Sequence, residues 1–456
     1  MVTTGLVAID ATILATAVPS IVADLGGFSA FPWLFSIYLL AQAVSVPIYA
    51  KLSDTVGRKP IILIGVGLFL LGSVLCGFAW SMPALIAFRA IQGLGAGAVQ
   101  PMAITIAGDI YTVAERAKTQ GYLASVWAIS SVVGPTLGGV FSEFVSWRGI
   151  IFVNVPLCIL SGWMLITRFH EKIEKREHTI DYAGAILLTV GMSSIILGLL
   201  EGGQAWAWNA PESIGAFVLG GAALVAFVFV EKRAAEPILP LWVFSRRLLI
   251  TTTVLALGVG AMLIGLTSYV PTYLEGSIGV SPLISGLALA ALTIGWPVSA
   301  SLSGRIYTRI GFRSTVLIGV VLAVIGSIAL ALVSATPSVV AVAVVCFVIG
   351  LGFGFINAPG IIAAQSSVPW HERGVVTGTN LFARSIGSAV GVAVFGAIAN
   401  GILDQAPGGE LDPDAIIAAS GAVFTAVAIC AALTIAAGLL MPRSRVEDVE
   451  LAPAQN

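Results

Sequence analysis

Apolar residues in this chain neither alternate nor recur on one face of a helix; they come in runs of about twenty, the length a helix needs to cross a bilayer. Fourteen such runs are predicted as helices, near 2–24, 31–51, 60–80, 83–107, 121–142, 149–167, 182–200, 213–230, 248–272, 283–303, 314–335, 338–363, 375–400 and 415–441. Between them lie short connections, one charged linker, "RFHEKIEKREHTID" (168–181), and a polar tail after Pro442 expected to be disordered. The predicted fold is an all-α polytopic membrane protein.

Composition leaves no soluble alternative. With 58% hydrophobic and 10% charged residues over 456 positions, the chain carries more apolar surface than a soluble domain can hide. The net charge of −1 gives no reason to expect nucleic acid as a partner. Cys76, Cys158, Cys346 and Cys430 all fall in apolar runs, too scattered for a disulfide framework or a metal knuckle, and read as packing residues. No basic region precedes the first run, the first lysine being Lys51, so no cleavable signal peptide is expected and the first helix should be short at its cytoplasmic end.

The basic residues set the orientation. With a cytoplasmic N-terminus, all but three of the 22 Lys and Arg residues fall in inside loops; the exceptions are Arg148 outside and Arg89 and Arg384 within spans. One missed span would put alternate clusters on the wrong side, so an even number of spans and two cytoplasmic termini are predicted. The acidic loop "LDQAPGGELDPDA" (403–415) then falls outside.

The chain also repeats itself. A shift of 257 places Gly93, Gly95, Gly97, Glu115, Arg116, Gly121 and Gly134 on Gly350, Gly352, Gly354, Glu372, Arg373, Gly378 and Gly391. A shift of 254 aligns "VGRKPIILIG" with "IGFRSTVLIG", placing Gly57 on Gly311 and Gly65 on Gly319. The expected organisation is two parallel six-helix halves, 1–167 and 248–441, separated by a linker and two inserted helices (168–247) and followed by the tail, 442–456. Parallel halves related by an axis along the membrane normal put a substrate site at their interface.

Five strings in order carry a family resemblance: "AIDATILATAVPSI" (8–21), "AKLSDTVGRKP" (50–60), "LIAFRAIQGLGAGA" (85–98), "VVGPTLGG" (132–139) and "WRGIIFVNVP" (147–156). Over nearly its whole length the sequence resembles the major facilitator superfamily, and within it the fourteen-span drug:proton antiporter group. The resemblance implies that Asp54, Gly57, Arg58 and Lys59 form a cytoplasmic latch between the halves, made in the outward-open state and broken in the inward-open one. The bland alternative for that loop is an orientation signal alone. Gly134, Pro135, Gly138 and Gly139 read as a hinge or seal, since bare glycine faces let helices approach and proline bends one, or else as ordinary glycine packing. The second copy departs from the pattern: Thr308 stands where Asp54 would repeat and Val392 where Pro135 would, so the gating chemistry is expected to be asymmetric.

Asp10 and Arg89 are the sharpest candidates. At 1.5 Å per residue, Asp10 lies roughly 12 Å above the inner face and Arg89 roughly 9 Å below the outer one, within roughly 10 Å of each other in depth. Asp10 is the single acidic residue placed deep inside a span. A carboxylate whose environment changes with the protein's state can load and release protons, so the two are assigned to proton coupling, with a static ion pair as the alternative. Thr16, Tyr38, Gln42, Gln100, Trp127, Asn154, Asn357, Asn380 and Arg384 are the candidate substrate-lining residues, each of them equally able to make an interhelical hydrogen bond. Arg384, with Asn380 one turn away, is left open among substrate binding, pairing with a carboxylate and ordering of backbone carbonyls.

The expected function is export of lipophilic small molecules in exchange for protons, by alternating access, in the cell inner or plasma membrane. The expected partners are the substrate, protons and the lipid bilayer, with a monomer as the assembly. No cofactor beyond the proton motive force is implied, and no G-x-x-x-x-G-K-[ST] loop is present for ATP. A transporter of one endogenous metabolite, lipid or siderophore would use the same motifs. A polytopic membrane enzyme is disfavoured, since His170, His178 and His371 sit in loops and no nucleophile–base pair stands out within the spans.

Overall fold

The computed structural model describes residues 1–26, 33–144, 146–171, 181–203, 206–234, 236–403 and 413–443. Helix α1 (Val2–Ile13) passes through a 3-10 turn (Leu14–Ala17) into α2 (Val18–Leu25). There follow α3 (Trp33–Val56), α4 (Arg58–Gly77), α5 (Met82–Ile110), α6 (Val113–Phe144), α7 (Trp147–Phe152), α8 (Asn154–Arg168), α9 (Tyr182–Glu201) and α10 (Pro211–Glu231). The chain continues through α11 (Arg247–Ile278), α12 (Pro282–Ile310), α13 (Phe312–Val333), α14 (Val339–Ser366), α15 (Arg373–Leu403) and α16 (Pro413–Leu440). The tail beyond residue 443, most of the charged linker and most of the acidic loop lie outside the described residues.

Among the described residues, twelve helices are long and apolar enough to cross a membrane: α3, α4, α5, the α7–α8 pair, and α9 to α16. That is two fewer than the fourteen runs read from the sequence. The first run is interrupted by the 3-10 turn, which leaves α1 with 12 residues. The fifth, α6, is 32 residues long but carries Thr119, Gln120, Ser125, Ser130 and Ser131 along its length.

The sequence repeat has a packing counterpart. Helix α5 packs on α3 and α4, as α14 packs on α12 and α13; α11 packs on α15 and α16, as α1 packs on α6 and α8. Gly93 and Gly97 of α5 abut Tyr38 and Ser45 of α3, while Gly350 and Gly354 of α14 abut Leu292 and Ser299 of α12, each partner 254 residues further on. Gly95 lies against Gly65 and Phe69, and Gly352 against Gly319 and Ala323. A Cβ at Gly93 would lie 2.5 Å from the Tyr38 carbonyl oxygen, so these helices approach along backbone and only glycine fits. Ser81 and Ser338 cap α5 and α14 in the same way, accepting from Ala84 and Ala341 N–H. Gly57 and Gly311, at φ +105° and +83°, make the tight turns into α4 and α13.

Two seams join the first group of helices to the second: α3 packs on α15, and α6 on α12. Gly374 and Gly378 of α15 meet Asp54 and Ala50 of α3, and Gly121 of α6 meets Ser301 of α12. The α9–α10 hairpin lies along the first seam, where Leu188, Met192 and Ile196 join one apolar cluster with Val44, Val46, Leu381 and Phe382.

Candidate functional site

Asp10 lies in α1, buried at 3% exposure. Its Oδ2 accepts from Arg89 Nη1 at 2.7 Å, and its Oδ1 from Gln92 Nε2 at 2.9 Å and Asn154 Nδ2 at 2.8 Å. Arg89 and Gln92 are one turn apart on α5 and so share a face; Asn154 opens α8 just past the break after α7. Arg89 also donates to Gln92 Oε1 at 2.6 Å and to the Leu34 carbonyl at 3.3 Å, and its guanidinium lies over the Tyr38 ring at 4.2 Å. Gln92 Nε2 donates on to Ser73 Oγ at 2.9 Å. Five helices thus converge on one ion pair, whose charges are matched and whose carboxylate oxygens are both satisfied. Neutralising Asp10 would strip Arg89 of its counter-charge and weaken the charge-assisted bonds from Gln92 and Asn154.

A second charged cluster occupies the end of the bundle that carries the α3–α4 turn. Asp54 pairs with Arg58 at 2.9 Å and accepts from the backbone N–H groups of Gly374 and Val375 at 2.9 and 2.8 Å. It therefore caps the N-terminus of α15 from another helix, where the dipole favours a carboxylate. Arg58, fully buried, pairs with Asp109 at 3.0 Å, donates to the Trp370 carbonyl at 2.6 Å and stacks on the Trp370 ring at 3.7 Å. Arg373 Nη1 pairs with Asp109 at 3.0 Å, and Arg116 Nη1 donates to Ser366 Oγ at 2.8 Å. Arg116 and Arg373 are equivalent under the 257-residue shift, as are Asp109 and Ser366. The two contacts are one contact made twice, ionic in one direction and neutral in the other. At the site of Asp54's repeat, Thr308 bonds back to the Gly304 carbonyl of its own helix, while the neighbouring Tyr307 hydroxyl reaches the Val113 carbonyl of α6.

A family model, "Major Facilitator Superfamily", matches residues 1–392. The chain belongs to the Major Facilitator Superfamily. Multidrug resistance protein 3 of Bacillus subtilis (strain 168) is 38% identical over 395 residues, 86% of this chain and 76% of the relative. Multidrug transporter protein MdtP of the same organism is 33% identical over 393 residues, 86% and 73% of the two chains. The human organic anion transporter MFSD10 superposes with a TM-score of 0.68 over 97% of this chain and 98% of its own, at 13% identity, which speaks for the fold alone. The protein is thus a multi-pass membrane transporter related to multidrug efflux proteins, not an enzyme.

On this facilitator fold most of the residues singled out from sequence fall into four groups. Asp10 and Arg89 meet directly, joined by Asn154 and Tyr38. Asp54 and Arg58 form the second cluster around the turn made by Gly57, whereas Lys59 points elsewhere, donating to the Ile166 and Phe169 carbonyls by the end of α8. Glu171 accepts from the Arg58 and Lys59 backbone N–H groups, both at 2.9 Å. Gln42 donates to Gln100 Oε1 at 2.9 Å, a bond that ties α3 to α5. Asn357 and Asn380 line a one-water cavity of about 10 Å³ between α11, α14 and α15, and Arg384 stands one turn beyond Asn380. Gly134 packs against Thr12 of α1, two residues from Asp10; Gly138 is buried on α6; Trp127 packs on the Leu6–Tyr38 cluster. The side chains of Thr16 and Pro135, and Gly139, lie outside the described residues.

Sequence reasoning passed over Gln92, Ser73, Asp109, Arg116, Ser366, Trp370 and Arg373. The repeat held a signal for four of them, since it overlays Arg116 on Arg373 and Asp109 on Ser366.

Proposed function

We propose that the protein is a proton-coupled antiporter that exports lipophilic small molecules by alternating access, with Asp10 as the proton carrier. The observation that carries this reading is the burial of Asp10 in a matched ion pair with Arg89. Protonation of Asp10 and its pairing with Arg89 exclude each other, so a proton taken up here has to change the packing of α1 against α5. The names of the multidrug relatives support small-molecule export as the direction of use.

In this reading the interrupted first run and α6 also cross the bilayer, giving fourteen spans, both termini in the cytoplasm and the cell's inner or plasma membrane as the site. The spans divide into halves 1–167 and 248–441 with an inserted hairpin between, in keeping with the paired contacts repeated 254 and 257 residues apart. The Asp54–Arg58–Asp109–Arg373 cluster then acts as a cytoplasmic latch, and the state described has that latch made. Opening to the cytoplasm breaks the cap on α15, the Arg373–Asp109 pair and the Arg58–Trp370 contact, while the Arg58–Asp109 pair stays within its half. Substrate entering from that side favours loss of the Asp10 proton, which re-forms the pair with Arg89. A fourteen-span drug:proton antiporter works on this cycle.

The test is proton release. Purified protein in weakly buffered detergent receives a panel of lipophilic cations and anions, wild type beside Asp10→Asn. Release in wild type that is absent in the variant ties ligand binding to Asp10. Silence across the panel in wild type removes the main support for antiport.

A further inference from the structure

Two basic residues stand deep within the apolar runs, and among the described residues one of them lacks a counter-charge. Arg89 is matched by Asp10, while the Arg384 guanidinium has no hydrogen bond, ion pair or ring contact among the described residues. Arg384 is half-buried and eleven residues from the start of α15, roughly 16 Å along the helix at 1.5 Å per residue, too deep to reach the polar region at that end. The Asn357 amide on α14 is likewise half-buried and, among the described residues, without a hydrogen-bond partner. It shares the small cavity between α11, α14 and α15 with Asn380 and Thr252, and the rest of the wall includes Leu255, Val259 and Ile356. Asn380 gives one amide proton to the Thr252 carbonyl at 3.1 Å. Residues four apart share a helix face, so the unpaired guanidinium stands one turn from the amide-lined pocket.

The charge balance decides between ligand classes. Asp10 accepts three hydrogen bonds and its charge is matched by Arg89, so it offers a cation no uncompensated charge. Arg384 leaves one uncompensated positive charge in the membrane interior, where an unpaired charge is costly and an incoming carboxylate relieves it through charge-assisted, bidentate hydrogen bonds. We propose that Arg384, with Asn357 and Asn380, is the binding point for the acidic group of a lipophilic carboxylate or sulfonate, whose apolar body lies along the Leu255–Val259 face of α11. Room for that body comes from parting the helices, since the pocket holds about one water in the latched state. The inference rests on the export reading for its place in a transport cycle, but the binding it asserts needs no transport.

Pyrenebutyrate and its trimethylammonium analogue share one apolar body and differ in charge, and both are fluorescent. They are titrated onto the full chain in nanodiscs, with empty nanodiscs subtracted. Wild type is expected to bind the carboxylate at least tenfold more tightly than the cation. Arg384→Gln should erase that preference by weakening the carboxylate alone, Arg384→Lys should retain most of it, and Asn357→Ala should weaken the carboxylate several-fold. Equal affinities, a preference for the cation, no binding of either probe, or an Arg384→Gln protein with unaltered carboxylate binding overturns the proposal. Proton release evoked by the cation but not by the carboxylate would leave the export reading standing and sink this one. Selective carboxylate binding without any proton release would do the reverse.

Discussion

Removing one partner from the Asp10–Arg89 pair should be far more damaging than removing both. The two groups are 3% and 2% exposed and 2.7 Å apart, so each is held in a medium that solvates it poorly without the other. Breaking a buried pair on one side costs about 3–5 kcal/mol, whereas replacing both members with neutral groups of similar volume is often close to neutral. Asp10→Asn leaves Arg89 with Gln92 Oε1 and the Leu34 carbonyl as acceptors, both uncharged. The expected cost is about 3 kcal/mol or more. Arg89→Gln should be milder, because Asp10 keeps the amide donors of Gln92 and Asn154. The double variant Asp10→Asn/Arg89→Gln should recover most of the larger single loss, giving a coupling energy of about 2–3 kcal/mol. Unfolding in mixed micelles, followed by thiol labelling of the buried Cys76, Cys158 and Cys346, reads all four corners of the cycle. A double variant that loses the sum of the two singles would refute the reasoning, because the residues would then be independent.

The latch and the network around Asp10 yield three more expectations. Ser366→Asp should convert the neutral Arg116 contact into a second copy of the Arg373–Asp109 pair, adding about 1 kcal/mol, roughly fivefold, to the latched population; spin labels on the exposed Val56 and His371 would read it as a larger short-distance fraction, and no change or a decrease would contradict it. Gly374→Ala places a methyl 2.5 Å from Asp54 Oδ1 and 2.6 Å from the Ala50 carbonyl, so it should push α3 from α15 and shift the same labels to longer distance; an unchanged distribution would count against the cap on α15. Gln92→Ala deprives Arg89, Asp10 and Ser73 of a shared partner and should cost about 1–3 kcal/mol by the same thiol assay. A loss under about 0.5 kcal/mol, the usual range for a surface substitution, would mean that Gln92 is not integral to the pair.

The helices were legible because a bilayer demands about twenty apolar residues in a row, and among the described residues twelve of the fourteen predicted runs fall on helices long and apolar enough to cross a membrane. The interruption of the first by a 3-10 turn had a signal that the length of the run masked: Pro19 lacks an N–H and crowds the carbonyl four residues back, at Ala15 within "LATA" (14–17). The Asp10–Arg89 meeting could be anticipated from depth alone, because rise per residue is fixed. Gln92 lay within the same argument, one turn from Arg89 on α5 and so on its face; Asn154 did not, since it reaches Asp10 through the break between α7 and α8. The latch shows the same division. Asp54 and Arg58 stand in a recognisable string, but Asp109 joins them from α5 and Trp370 and Arg373 from across the α3–α15 seam, and their part is visible in sequence chiefly as the overlay of Arg116 on Arg373. Gln42 and Gln100, read as cavity-lining, share a hydrogen bond because α3 and α5 are drawn close by Gly93 and Gly97.

Uphill transport tests the central claim most directly. Proteoliposomes containing wild type or Asp10→Asn, each confirmed to be folded, are given an imposed pH gradient and a ligand identified by proton release. The account predicts that wild type accumulates the ligand above its equilibrium level while Asp10→Asn carries it only to equilibrium. Accumulation by Asp10→Asn equal to that of wild type would contradict it, and the proton would have to be carried elsewhere.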